Sequence, residues 1–221
     1  MRFAVKSCCF TVVAILVASA ALAQTQEPEG WTFSSLTVSA GEDALSSGIA
    51  GSLWMDNHEK RTTFNVVVQQ EQAWFLYGRR FTAGKLKGTV AGSTGHFMGV
   101  PWIGPYFDLG MPLGKVAGQE VTVSTMQWPI INAWEPDKWK NDGVDNPEKL
   151  YIGFLTSYQV NIGPVGVCYS LLNFLDDPWN ELPGVSYTQK IRKDFSVMGS
   201  VTHNGNTKKW MFYIGATWNP S

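Results

Sequence analysis

The C-terminal stretch Lys208–Ser221, KKWMFYIGATWNPS, alternates two kinds of side chain. Apolar or small residues occupy every second position, namely Trp210, Phe212, Ile214, Ala216 and Trp218. Side chains of a β-strand point alternately to opposite faces, so these five share one face. The stretch therefore predicts a strand with one apolar face that carries a tryptophan at each end.

The spacing of the two tryptophans fits a bilayer. Trp218 follows Trp210 by eight positions, or about 26 Å at roughly 3.3 Å per residue. A strand tilted by about 40° would then span roughly 20 Å along the membrane normal, close to the apolar band of about 25 Å on membrane barrels. Tryptophan favours the membrane interface. We predict that Trp210 and Trp218 lie at the two interfaces, with a soluble sandwich as the alternative.

The N-terminus has the pattern of an export signal. Arg2 and Lys6 precede an apolar run, and a small-residue motif ends at Ala23. This pattern predicts a secretory signal peptide over 1–23, followed by one domain over 24–221. The apolar run is too short to predict a membrane-spanning helix, and no later stretch reaches the roughly 18 apolar residues that such a helix needs.

Charge and cysteine content exclude several classes of protein. Without Arg2 and Lys6, 15 basic residues face 18 acidic ones, so nothing points to nucleic acid. Cys8 and Cys9 belong to the predicted signal, which leaves Cys168 with no partner for an internal disulfide. The sequence contains 10 Trp and 22 Gly with only 16% charged residues. That balance favours a sheet that faces lipid.

The rest of the chain is predicted to be all-β. Runs of β-branched and aromatic residues alternate with Gly, Pro, Asn and Asp, and no long helical stripe follows Gln24. The runs count to about twelve strands, with eight or ten as alternatives. The segment over 96–113 contains three prolines, so any strand there is expected to be bent, bulged or partly loop. We predict an antiparallel up-and-down transmembrane β-barrel.

Two strand segments predict an inner wall. Val185, Tyr187 and Ile191 alternate with polar residues along one run, and Tyr213 lies opposite the apolar face of the last run. In a barrel the polar face points into the lumen. The predicted pore-lining residues are Ser186, Thr188, Lys190, Arg192 and Tyr213.

Connection lengths predict the two ends of the barrel. If the N-terminus is periplasmic, the predicted extracellular connections are the long segment 129–148 and the stretches 175–184 and 203–207. The predicted periplasmic connections are the short turns 161–164 and 192–194. Short inner turns and longer outer loops are typical of bacterial outer-membrane barrels.

Together, the signal peptide, the alternating hairpins and the closing strand resemble Gram-negative outer-membrane β-barrel proteins of the porin type. The resemblance is one of overall pattern and rests on no family motif. It implies a location in the outer membrane, contact with outer-membrane lipid, and a narrow channel or uptake route for small solutes. The oligomeric state, the solute and whether the lumen is open are not predicted.

Two other functions stay open from the sequence. Ser93 and His96 lie close together in the chain, which suggests a barrel enzyme that modifies membrane lipid, although a triad is defined by geometry. A soluble periplasmic β-sandwich or lipocalin-like binding protein is the other alternative. No His/Cys spacing of the zinc type is present, and neither a metal nor a cofactor is expected.

Overall fold

The computed structural model describes residues 30–42, 47–69, 72–97, 100–132, 151–173 and 179–220. These residues form an all-β structure of twelve antiparallel strands, which confirms the predicted fold class and strand number. The strands are β1 (Trp31–Glu42), β2 (Ser47–Asn57), β3 (Thr62–Val68), β4 (Gln72–Ala83), β5 (Leu86–Phe97), β6 (Val100–Val116), β7 (Gln119–Asn132), β8 (Tyr151–Ile162), β9 (Val165–Asn173), β10 (Asn180–Arg192), β11 (Phe195–His203) and β12 (Trp210–Trp218). The predicted signal peptide lies outside the described residues.

Each strand pairs with its neighbours in sequence, and β1 pairs with β12 to close the barrel. The closing register runs from Leu36 opposite Trp218 to Gly41 opposite Tyr213. Closure leaves no sheet edge with unpaired backbone groups, which a barrel needs in order to span a bilayer. Within the described part of the chain, no helix is long and apolar enough to cross a membrane.

The lengths of the connections only partly follow the prediction, because β3–β4 and β5–β6, separated by three and two residues, join at the same end as the longest connections. The turns over 84–85, 117–118, 163–164 and 193–194 join strands at one end, which we call the turn end. The longest connections, over 133–150, 174–179 and 204–209, join strands at the opposite end, which we call the loop end. The predicted outer segments 129–148 and 175–184 are too long, because residues 129–132 belong to β7 and residues 180–184 belong to β10. Residues 133–148 lie outside the described part of the chain.

Strand β6 is continuous despite its three prolines. Its pairing with β5 is complete from Val100 to Gly110, whereas its ladder with β7 lacks partners between Ile103 and Phe107. In that gap Pro105 faces Pro129 of β7, and neither residue has an N–H to donate. A β-bulge follows between Pro112 and Gly114. The expected irregularity therefore takes the form of a ladder gap and a bulge within one strand.

The outer surface of the barrel is apolar. On β12, Trp210, Phe212 and Ile214 are each more than 60% exposed, whereas Met211 between them is 4% exposed. The same exposed apolar face continues on other strands, including Phe75, Val90, Ile103, Phe107, Ile152, Val160, Val167 and Val185. A soluble protein rarely exposes so large an apolar surface. Lipid is the solvent that such a face requires.

Candidate functional site

The interior wall is rich in hydroxyl and amide groups. Register pairs join residues of the same face, so the inner face can be followed around the barrel. It includes Thr37, Ser39, Ser52, Asn65, Thr89, Ser93, Thr122, Ser124, Ser157, Gln159, Asn161, Ser170, Ser186, Thr188, Ser196, Ser200, Thr202 and Thr217. Some of these groups pair with each other. Ser170 Oγ donates to Ser157 Oγ at 2.8 Å, and Thr37 Oγ1 and Thr217 Oγ1 lie 2.9 Å apart.

An aromatic cluster fills part of the lumen toward the loop end. The Trp128 ring makes edge contacts with Trp74, Trp102 and Tyr106 at centroid distances of 5.4, 5.1 and 5.9 Å. Ile130 belongs to the same cluster, and Trp102 and Trp128 are almost fully buried. Such edge-to-face pairs add to the free energy gained from burial of apolar surface. The cluster narrows the open cross-section on the side of β4 to β7.

One polar anchor holds the cluster in place. Trp128 Nε1 donates a hydrogen bond to Ser93 Oγ at 2.7 Å, and Ser93 Oγ donates to the carbonyl of Gly104 at 2.6 Å. The chain of two bonds satisfies the buried indole N–H, as a buried tryptophan requires. It also ties β7 to β5 and β6 across the inner face.

A buried acid lies near the turn end. Asp56 Oδ2 accepts from Arg80 Nη1 at 2.8 Å, and the Arg80 guanidinium lies 5.7 Å from the centre of the Trp54 ring. The Asp56 side chain is 5% exposed and that of Arg80 45%. The opposite charge compensates the buried carboxylate, so Arg80 contributes little net charge to the lumen.

Two interior cavities flank the aromatic cluster. The larger, of about 770 Å³, lies toward the turn end, and its lining includes Arg80, Lys87, Asp108, Glu120, Thr122 and Ser124. Charges of both signs therefore face this space. The smaller, of about 310 Å³, is lined by leucine, serine, threonine and sulfur-containing side chains of β7 to β12, with Tyr213 of β12 and Glu42 of β1.

The structure places most of the predicted pore-lining residues on one inner face. Ser186 pairs with Ser200, and Ser200 pairs in turn with Tyr213. Thr188 and Lys190 continue this face, opposite Met198 and Ser196.

Arg192 differs from the other four. A bulge between Lys190 and Arg192 interrupts the alternation, and Arg192 pairs with Phe195. Its side chain is 71% exposed, with Nε 3.9 Å from Asp194 Oδ1. Alternation in the sequence alone therefore does not place the Arg192 side chain on the inner face.

The two predicted interface tryptophans lie at opposite ends of β12. Trp210, at the loop end, is 61% exposed and contacts the ring of His203 at 5.0 Å. Trp218, at the turn end, contacts Phe33 at 5.3 Å and donates from Nε1 to Asp194 Oδ2 at 3.2 Å. Each indole thus has an apolar body on the outer face, and that of Trp218 also has a polar partner.

Ser93 and His96 do not form a catalytic pair. They are three residues apart on β5, so their side chains point to opposite faces. The Ser93 hydroxyl lies inside and is hydrogen-bonded to Gly104 and Trp128, while His96 is exposed on the outer face. Within the described residues, no group of three or more His, Cys, Asp or Glu side chains could hold a metal ion.

Sequence reasoning missed the interior residues of the first half. Trp54 and Asp56 alternate with Leu53 and Met55, but both faces of that run contain large apolar residues. The inner face could not be assigned there without the register. The available signal is the charged Asp56, which lies two positions after Trp54 and therefore shares its face.

No protein-family model matches the sequence, and no curated protein sequence matches it either. Solved structures do match the fold. The KdgM porin superposes with a TM-score of 0.53 at 9% identity, and the NanC porin with a TM-score of 0.55 at 8% identity. Each comparison covers 86% of this chain and 100% of the other. A KdgM porin in complex with disordered oligogalacturonate also matches, with a TM-score of 0.53. The chain therefore has the fold of these porins.

Proposed function

We propose that the protein is an outer-membrane channel that gives small solutes a narrow route through the barrel. The observation that carries this proposal is the contrast between the two faces of one closed sheet. The outer face is apolar and exposed, and the inner face carries hydroxyl, amide and charged groups around two cavities. A sheet of this kind suits lipid outside and water inside.

The placement in an outer membrane rests on three observations. The fold is that of porins, the N-terminal sequence has the pattern of a signal peptide, and aromatic side chains occur at both ends of the outer face. Trp210 and the Phe154–Trp179 contact lie at the loop end, and Trp218 and Phe33 lie at the turn end. We infer that these residues mark the two interfaces with lipid.

The solute path is proposed to follow the wall formed by β8 to β12. The aromatic cluster occupies the lumen on the opposite side, and Ser186, Thr188, Lys190 and Tyr213 lie on the wall that remains. Lys190 gives this wall a positive charge. Small polar solutes are the class that such a wall accommodates, and the KdgM complex with oligogalacturonate is an example of solute binding in a barrel of this fold.

Cys168 offers a direct test. It is the only cysteine after residue 23, and it lies on the inner wall of the smaller cavity. We expect the refolded protein to produce stepwise currents in a planar bilayer. A charged, water-soluble methanethiosulfonate reagent should reduce those currents because it adds bulk to the path. Cys168→Ser should conduct normally and resist the reagent.

The outcomes separate the possibilities. Insertion without current would overturn the channel proposal. Current that the reagent leaves unchanged, with mass spectrometry showing a modified Cys168, would mean that solutes take another path. A protein that fractionates as soluble after lysis without detergent would remove the membrane location itself.

A further inference from the structure

Four sulfur-containing side chains converge on the smaller interior cavity. Met126 comes from β7, Cys168 from β9, Met198 from β11 and Met211 from β12, and all four line the same space of about 310 Å³. The register places each of them on the inner face. We call this space the sulfur-lined cavity.

One of the four, Met211, belongs to a buried apolar cluster. It is 4% exposed and packs with Leu172 and Leu182. Met126, Cys168 and Met198 are each only partly buried, and their register neighbours are polar or small, such as Ser157 beside Met126 and Thr188 beside Met198. Leu155 and Leu182 also line the cavity, so its wall combines apolar, sulfur and hydroxyl groups.

The charge at the cavity favours a cation. Among the described residues that line it, the only formally charged one is Glu42, and the remaining polar groups are the hydroxyls of serine, threonine and Tyr213. No lysine or arginine in the described part of the chain lines this space. It differs in this respect from the larger cavity, where Arg80 and Lys87 are present.

Thioether and thiol ligands select soft metal ions. Methionine and cysteine sulfur bind Cu(I) in preference to hard cations such as Mg²⁺ or Ca²⁺, which take oxygen ligands. Methionine has three rotatable side-chain bonds, so its sulfur can adjust to an ion within a small cavity. We propose that the sulfur-lined cavity binds a soft monovalent metal ion of the Cu(I) or Ag(I) class through Met126, Met198, Met211 and Cys168. The site goes beyond the proposed channel, because binding does not require conduction.

Silver ion is the probe for the test, since it does not change oxidation state on binding. The refolded protein in detergent is titrated with silver nitrate in chloride-free buffer by calorimetry. We expect one saturable site per chain. Met126→Leu and Met198→Leu, which keep volume and apolar character, should each weaken binding by about tenfold or more, as the loss of even an outer-shell partner of a metal site costs roughly 10- to 100-fold.

The matched control is Met111→Leu. Met111 lies on the outer face and is 39% exposed, so its replacement should leave the affinity unchanged. Cys168→Ser should retain weaker binding through the thioethers. If the two interior leucine variants bind silver like the wild type, the ion is held by a single thiol and the proposal is overturned. Absence of saturable binding overturns it equally.

The result is independent of the channel measurement. A protein that binds silver in this way but passes no current would leave the site intact and remove the channel. A conducting protein without thioether-dependent binding would remove only the site. Heat-modifiable gel migration of each variant verifies that the barrel is folded.

Discussion

The indole Nε1 of Trp128 on β7 donates a hydrogen bond to Ser93 Oγ on β5 at 2.7 Å, inside the barrel and across β6. Both side chains are buried, at 5% and 7% exposure. The bond orients the ring that contacts Trp74, Trp102 and Tyr106. One serine hydroxyl therefore sets the position of the aromatic cluster that narrows the lumen.

Ser93→Ala removes the partner of the buried indole N–H. A buried donor left unpaired costs about 1–3 kcal/mol, so the free energy of unfolding should fall by about that amount. Urea titration of the barrel in detergent, followed by tryptophan fluorescence, measures the change. Thr94→Ala is the control. The Thr94 hydroxyl donates to the carbonyl of Trp102 from the outer face, so its removal leaves no buried donor without an acceptor. Equal losses in the two variants would contradict the anchoring role.

Gly104→Ala should destabilise the barrel through a steric clash. A Cβ at position 104 would meet the carbonyl oxygen of Pro129, which is backbone and cannot move aside as a side chain could. Overpacking of this kind typically costs about 1–3 kcal/mol. Gly92 on β5, which pairs with the adjacent Pro105, is the control, because a Cβ there meets nothing within 4 Å. The temperature at which the folded gel band disappears should fall for Gly104→Ala and stay unchanged for Gly92→Ala.

Phe212→Arg and Tyr213→Arg test the two faces of one strand. Phe212 is 62% exposed on the outer face, and Tyr213 lines the smaller cavity. An arginine on the lipid face near mid-bilayer costs roughly 2–4 kcal/mol, whereas a lumen position lets it reach water. Refolding titrations into phospholipid vesicles should therefore show a larger loss for Phe212→Arg. A larger loss for Tyr213→Arg would reverse the assignment of faces.

The sequence predicted the second half of the barrel better than the first. From β8 to β12 the outer face is mostly apolar and the inner face mostly polar or small, so alternation identifies most of these strands, although Leu172, Leu182 and Met211 lie inside. In β2 and β4 the inner face carries large apolar residues, namely Trp54, Trp74 and Leu76, and alternation of apolar with polar residues is lost. Only the register assigns those side chains.

Three further features could not be predicted from local patterns. Strand β6 continues through Pro105, where its ladder with β7 is open and Pro129 occupies the facing position. The bulge before Arg192 adds one residue to β10 and shifts the register there. The sequence shows no break in its alternation at that point. The convergence of Met126, Cys168, Met198 and Met211 likewise depends on the order of strands around the barrel.

Lys190 and Arg192 give separate predictions for ion selectivity. Lys190 pairs with Ser196 on the inner wall, so its charge should raise the local concentration of anions in the lumen. Lys190→Gln should shift the reversal potential toward cation selectivity in a salt gradient across a planar bilayer. The shift should be largest at low salt, because a charge is screened over about 10 Å at 0.1 M ionic strength.

Arg192→Gln is the comparison, because Arg192 lies beyond the bulge, is largely exposed and approaches Asp194. If Arg192 lines the pore as the alternation predicts, its neutralisation should shift the reversal potential in the same direction as Lys190→Gln. If the bulge directs it to the rim, the shift should be much smaller. Folding should survive both changes, since neither side chain is buried. A conducting Lys190→Gln variant with unchanged selectivity would show that this wall does not control the ions that pass.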